Sequence, residues 1–130
     1  MSILPRQLEI ELVDDLFLAI PQFKNYVKNC DFQYSEKVAY LLFDDLGRFV
    51  TELMLKNIDI EITYNCFNYI NVLGERKNVD IDNLLGVTFI ESLASIVELR
   101  TAAKAKLKGR TLTMFQDVVD GPMFNSKSRR

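Results

Sequence analysis

The chain has 130 residues, of which 48% are hydrophobic and 26% charged. This is enough for one folded domain and too short for two ordinary ones, and the composition excludes a disordered chain. Histidine is absent, which excludes Ser-His and Cys-His catalysis and removes the commonest transition-metal ligand.

The pattern of the chain also predicts its compartment. No apolar run approaches the roughly 18 residues of a membrane span, and the first residues lack a signal-peptide pattern. We therefore expect a cytoplasmic protein with no membrane partner, no metal and no cofactor. In that compartment Cys30 and Cys66 are expected to be small buried hydrophobes rather than a disulfide.

The net charge of −2 is unevenly distributed along the chain. Residues 1–99 contain 8 Lys/Arg and 16 Asp/Glu, a net charge of −8, whereas residues 100–130 contain 8 Lys/Arg and 2 Asp/Glu, a net charge of +6. An acidic body would attract a basic partner, and a basic end could attract phosphates.

Apolar residues at helical spacing predict three helices in the first half of the chain. The first covers about residues 5–20, with Pro5 in its first turn, and a short second helix covers residues 22–27. The third is expected to run from an N-cap at Ser35 to about Lys56. Their buried stripes are predicted to contain Leu8, Leu12, Leu16 and Ile20, and then Val38, Leu42, Leu46, Phe49 and Leu53.

A fourth helix is expected over about residues 59–73, with Gly74 ending it. Its start contains the alternating stretch IDIEITY (58–64), which would also suit a strand. Helix is favoured because the surrounding sequence is helical and no second strand is available for pairing.

The remaining sequence predicts two or three further helices. One starts at Asp80 or Asp82 and either continues through residues 99–108 or bends there, and Gly109 ends it. Thr111 is expected to cap a last helix over residues 112–119. The sequence thus predicts an all-α, single-domain bundle of about five to seven helices over residues 1–120, followed by a flexible basic tail at 121–130.

The stretch LLFDDLGRFV (41–50) places charges inside an apolar helix. On a helical wheel Asp44 faces solvent, while Asp45 lies at the border of the apolar stripe. Arg48 can pair with Asp45 at i,i+3 and with Glu52 at i,i+4. These charges predict either a surface ion-pair ladder or a contact with a partner.

The same helix raises two further expectations. Gly47 costs roughly 1 kcal/mol in mid-helix relative to alanine, which predicts close approach of a neighbouring helix. Asp45 and Glu52 could serve an enzyme as acid and base. That alternative is disfavoured, because Arg48 between them would keep both carboxylates ionised.

A basic run, ELRTAAKAKLKGR (98–110), carries five cations: Arg100, Lys104, Lys106, Lys108 and Arg110. It could contact nucleic-acid phosphates. The run contains no aromatic residue on which bases could stack. We therefore favour a solvated helix end, where cations interact well with the helix dipole.

Three stretches of the sequence are similar to one family. LLFDDLGRFVTEL resembles a central helix pattern in a family of small bacterial helical proteins of unknown function. NVDIDNLLGVTFIESL (78–93) and LKGRTLTMF (107–115) resemble the two motifs that follow it, so the resemblance covers roughly residues 36–118. The basic run at 100–110 departs from that pattern.

Members of this family look like immunity proteins encoded beside secreted bacterial toxins, which implies a cognate protein toxin as partner and no catalytic residues. Nuclease toxins have basic clefts, which an acidic helical protein could fill. We therefore predict an immunity protein, not an enzyme, with nucleic-acid binding through residues 100–110 as the alternative. The candidate partner-binding residues are Asp14, Asp15, Asp44, Asp45, Arg48, Glu52, Asp59 and Glu61.

Overall fold

Helices make up nearly all of the chain that the computed structural model describes, which is residues 4–28 and 39–122. In chain order they are α1 (Arg6–Ala19), α2 (Pro21–Lys28), α3 (Ala39–Lys56), α4 (Ile60–Gly74), α5 (Val79–Leu85), a π-helical turn (Gly86–Ile90), α6 (Glu91–Ala94), a 3-10 turn (Val97–Leu99), α7 (Arg100–Lys106) and α8 (Arg110–Asp120).

These helices confirm the predicted all-α, single-domain fold. Helix α5, the π-helical turn and α6 follow one another without a break, and the 3-10 turn leads directly into α7. Counted in this way, the described ranges contain seven helical rods and no strand.

Helix α3 lies at the centre of the bundle and packs against α1, α2, α4 and the α5–α6 rod. Gly47 allows a close approach of α6, because a Cβ there would lie 2.6 Å from Ser92 Oγ. The expectation that Gly47 marks a close helix contact is confirmed. The buried residues of α3 include Leu42, Phe43, Leu46, Phe49, Val50 and Leu53.

In the alternating stretch at 58–64, residues 60–64 are helical, as predicted, and residues 58 and 59 belong to the connection between α3 and α4. Helix α3 ends with Asn57 in the left-handed region (φ 54°), and the backbone N–H of Ile58 donates to the carbonyl of Leu53 at 3.2 Å. This is a Schellman ending, with Asn57 where glycine is commonest. Asp59 is also left-handed (φ 50°), and α4 starts at the next residue.

Helix α5 starts earlier than the predicted Asp80 or Asp82. The side chain of Asn78 accepts hydrogen bonds from the backbone N–H groups of Asp80 (2.8 Å) and Ile81 (3.1 Å). Asn78 is therefore the N-cap, because its extended backbone turns its amide oxygen toward the first free N–H groups. The rod that follows ends with α6 at Ala94, so it does not continue through residues 99–108, and the separate helix α7 ends at Lys106 rather than at the predicted Gly109.

Thr111 does not cap the last helix, contrary to the prediction. Helix α8 starts at Arg110, after Gly109 with φ 59°, and Thr111 is fully buried inside it. Gly74 is the last residue of α4, as predicted, and its lack of a side chain also serves packing, since a Cβ on Gly74 would lie 2.5 Å from Thr111 Cγ2. The two residues form a close contact between α4 and α8.

Several predictions fall outside the described residues: the N-cap at Ser35, Cys30, and the tail except for Gly121 and Pro122. Cys66 is a free, buried thiol, and burial raises its pKa to about 12. No helix among residues 4–28 and 39–122 is long and apolar enough to cross a membrane.

Candidate functional site

The charges of LLFDDLGRFV divide into a buried part and an exposed part. The side chain of Asp45 is 3% exposed and pairs with Arg48, whose side chain is 52% exposed. Arg48 also binds Asp44 at 3.2 Å, and the Asp44 side chain is 43% exposed. Asp44 reaches solvent as predicted, whereas Asp45 lies in the interior rather than at the border of the stripe.

The predicted ladder from Asp45 through Arg48 to Glu52 is wrong in its second step. Within the described residues, Arg48 pairs with Asp44 and Asp45, and the hydrogen bond that Arg48 donates to the Asp45 carboxylate raises the pKa of its guanidinium. Glu52 is exposed and accepts a long hydrogen bond (3.5 Å) from the Tyr26 hydroxyl of α2. The side chain of Arg48 points toward the start of α3, because Asp44 and Asp45 lie about one helical turn before it.

We expect the two adjacent aspartates to differ in their effect on stability. Asp45→Ala should lower the free energy of unfolding by about 1–3 kcal/mol, because it removes a buried charge-assisted hydrogen bond. Asp44→Ala should cost less than about 1 kcal/mol, since exposed ion pairs contribute little. Urea unfolding of both variants measures this difference. An equal loss in the two variants would contradict the structural role of Asp45.

The other predicted carboxylates are exposed but do not converge on one point. Asp14 and Asp15 lie on the outer face of α1, and Asp59 and Glu61 lie at the start of α4. Burial raises the pKa of Tyr69, near the end of α4, and Asp15 raises it further. The Tyr69 hydroxyl also donates to the carbonyl of Leu12 in α1 at 3.1 Å, so α1 meets α4 near that end, about 12 Å along the helix from Glu61. The structure spreads the eight predicted residues over three helices.

The basic run is divided between structural arginines and exposed lysines. Arg100 Nε donates to the carbonyl of Ala94 at 2.8 Å and caps α6. Arg110 Nε donates to the carbonyl of Gly74 at 2.7 Å, and its guanidinium also pairs with Asp82. The three lysines, Lys104, Lys106 and Lys108, are exposed. The arginines thus hold helix ends, and the lysines are the part of the run that is free to meet a partner.

A surface groove lies between α4 and α7, and we call it the α4–α7 groove. It consists of two adjoining concavities of about 160 and 190 Å³, and Ile60 and Lys106 line both of them. The first is also lined by Leu53, Met54, Asn57, Ile58, Thr63, Leu99 and Ala102. The second is also lined by Tyr64, Phe67, Asn68, Ala105 and Lys108.

The groove was not predicted, although the sequence contains a pattern that belongs to it. Ile60 and Tyr64 follow each other at helical spacing, and the structure leaves them 68% and 61% exposed. The sequence predicts only that this part of the chain is helical and does not indicate which of its apolar side chains remain exposed. It also contains no aromatic residue within the basic run, whereas the fold brings Tyr64 of α4 beside Lys106 and Lys108.

The wall of the groove is fixed to α4 by the side chain of Asn71. Asn71 Nδ2 donates to the carbonyl of Lys106 at 3.1 Å, and Asn71 Oδ1 accepts from the backbone N–H of Lys108 at 3.2 Å. Thr111 Oγ1 also donates to Asn71 Oδ1. These bonds hold the turn between α7 and α8 against α4, so the two lysines have a defined backbone position.

Comparison with known proteins identifies one family. The model described as Domain of unknown function (DUF7674) matches residues 13–117. No curated protein and no solved structure matches the chain. The match agrees with the resemblance to a family of unknown function, and it includes both α3 and the α4–α7 groove. Because it covers most of the 130 residues, the chain belongs to the DUF7674 family.

Proposed function

We propose that the chain is an immunity protein that binds a cognate bacterial toxin and covers its active site. The observation that carries the proposal is the outer face of α3. There, side chains at helical spacing remain wholly or half exposed along roughly 20 Å of helix. They are Leu41, Asp44, Arg48, Glu52 and Leu55.

This outer face of α3 has the composition of a protein-binding surface. Leu41 and Leu55 are exposed at its two ends, and charged side chains lie between them. Arg48 is already held by Asp44 and Asp45, so a partner would meet an ordered charge pattern. An ordered surface loses less conformational entropy on binding.

The acidic charge of the part of the domain that precedes the basic run supports a basic partner. Residues 1–99 carry a net charge of −8, and Asp14, Asp15, Asp59 and Glu61 add exposed carboxylates on α1 and α4. Separated carboxylates of one sign steer a basic partner toward the protein over a long range. A nuclease toxin, whose cleft binds polyanions, has the matching charge. The resemblance described above favours the same partner class.

The test uses the product of the gene next to the coding sequence, expressed in a bacterial host. We expect the wild-type chain to protect the host from that product and to bind it. Asp44→Lys combined with Glu52→Lys should weaken binding at least about tenfold, since both changes oppose a basic partner. Asp117→Lys combined with Asp120→Lys, both exposed on α8, is the matched double charge reversal and should change binding little.

Circular dichroism should show that the three proteins are equally folded. The proposal fails if the wild type neither protects nor binds, or if the double variant of α3 protects and binds as well as the wild type.

A second candidate function, nucleic-acid binding, has one observation in its favour. Tyr64 is exposed beside Lys106 and Lys108, so the basic run has an aromatic neighbour on which one base could stack. Binding of this kind would depend steeply on salt and would be lost on Lys104→Glu with Lys108→Glu.

A further inference from the structure

The α4–α7 groove exposes apolar surface that the fold itself does not need. Ile58, Ile60 and Tyr64 are each 45% to 68% exposed, although neighbouring positions such as Thr63 and Phe67 are buried. Contiguous apolar surface around a concavity marks an interaction site more often than isolated exposed residues do. The groove is therefore a candidate interaction site.

The charges that line the groove indicate the chemistry of that occupant. Lys106 lines both concavities and Lys108 lines the second, and no carboxylate is among the described residues that line either one. This contrasts with the acidic charge of residues 1–99. An apolar groove edged by two lysines is complementary to a ligand that is apolar on one side and anionic beside it.

The shape of the groove favours a peptide over a small molecule. Each concavity is below the roughly 300 Å³ at which drug-sized ligand sites begin, yet two of them adjoin along the shared wall of Ile60 and Lys106. Two small adjacent depressions suit two side chains of one chain segment, which is how grooves recognise amphipathic peptides.

The lining also favours a peptide over a nucleic acid. The first concavity is walled mainly by aliphatic side chains, including Leu53, Ile58 and Leu99, and has no aromatic residue among its described lining. Bases bind by stacking on aromatic faces, and Tyr64 offers such a face in the second concavity alone.

We infer that the α4–α7 groove binds an acidic amphipathic peptide segment of another protein. Two apolar side chains of the segment occupy the two concavities, and its carboxylates lie at Lys106 and Lys108. The hydrogen bonds of Asn71 to the backbone of residues 106 and 108 hold this wall in place before binding, which lowers the entropic cost. This site is separate from the outer face of α3 and does not depend on the proposed immunity function.

The probe is a random library of 12-residue peptides displayed on phage and selected on the full-length protein. We expect the enriched peptides to combine Leu, Ile, Phe or Met with Asp or Glu. A synthetic peptide with the consensus sequence should bind the wild type. Ile60→Ala and Lys106→Glu should each weaken that binding at least about tenfold, as loss of a central contact does.

The chain offers a matched control for each variant. Val72→Ala removes an exposed apolar side chain from α4 outside the groove, and Lys104→Glu reverses an exposed lysine of α7 that lines neither concavity. Both should bind the consensus peptide as the wild type does. All four positions are exposed, so the variants should fold, which circular dichroism checks.

Two results would overturn the inference: enriched peptides without an acidic and apolar bias, or a consensus peptide that binds Ile60→Ala and Lys106→Glu as tightly as the wild type. Titration with a labelled 12-nucleotide oligothymidine tests the other class of partner. Saturable, salt-sensitive binding of it that Lys106→Glu abolishes would assign the groove to nucleic acid. The carboxylates of α3 take no part in these measurements, so their outcome does not decide the immunity proposal.

Discussion

We expect Gly47→Ala to lower the free energy of unfolding by about 1–3 kcal/mol, although alanine is the better helix former. The added Cβ would lie 2.6 Å from Ser92 Oγ and 2.7 Å from Ser92 Cβ. Rotating the serine hydroxyl away relieves the first contact but not the second, because Ser92 Cβ is attached to the backbone of α6. Relieving this second contact requires α3 and α6 to move apart. The packing free energy lost in that movement exceeds the roughly 1 kcal/mol that alanine gains in helix propensity.

Gly86→Ala is the matched control for this prediction. A Cβ on Gly86 would meet no atom within 4 Å, and its backbone is right-handed helical (φ −62°). This change should therefore raise stability by up to about 1 kcal/mol. Urea unfolding measures both variants, and Gly47→Ala combined with Ser92→Gly should recover part of the loss. A gain in stability for Gly47→Ala would refute the close contact of α3 with α6.

The largest expected loss of stability is that of Phe89→Ala, about 3–5 kcal/mol. Phe89 lies in the π-helical turn and is fully buried. Its ring meets Phe67 of α4 edge to face, with ring centroids 5.6 Å apart. The turn itself packs against α3 and α8, so the cavity left by the ring would be enclosed by α3, α4 and α8 and could not collapse easily.

Val87→Ala provides the comparison, since Val87 lies in the same turn but is half exposed. It should change stability by about 0.5 kcal/mol or less. Thermal unfolding followed by circular dichroism would show a large drop in the midpoint for Phe89→Ala and almost none for Val87→Ala. Similar midpoints for the two variants would show that the π-helical turn is not part of the core.

Sequence reasoning reached the fold because helix formation leaves a local pattern. Apolar residues repeat at helical spacing from Leu8 to Val119, and the absence of a second alternating stretch made helix the better interpretation of residues 58–64. The close helix contact at Gly47 was predictable for the same reason. Glycine in mid-helix lowers helix stability, which implies a contact that compensates for the loss. Caps were less predictable. Asn78 rather than Asp80 caps α5, because several polar residues in one turn can serve and backbone geometry selects among them.

Sequence reasoning was weaker on the candidate site, because the partner of a charge is a property of the folded chain. Asp44 and Asp45 are neighbours in sequence, yet one is half exposed and the other buried. Arg110 looks like one of five equivalent cations, but its partners Gly74 and Asp82 belong to elements far away in the chain.

The sequence alone determined the helical class, the single domain and the charge asymmetry, since these follow from composition and from contacts within one or two helical turns. The tertiary structure alone decided which charges are free and where apolar surface remains exposed. The α4–α7 groove shows why: Ile60 and Lys106 are more than forty residues apart and share a wall once α4 and α7 pack together. A spacing pattern describes one helix, whereas this groove is lined by side chains of several helices.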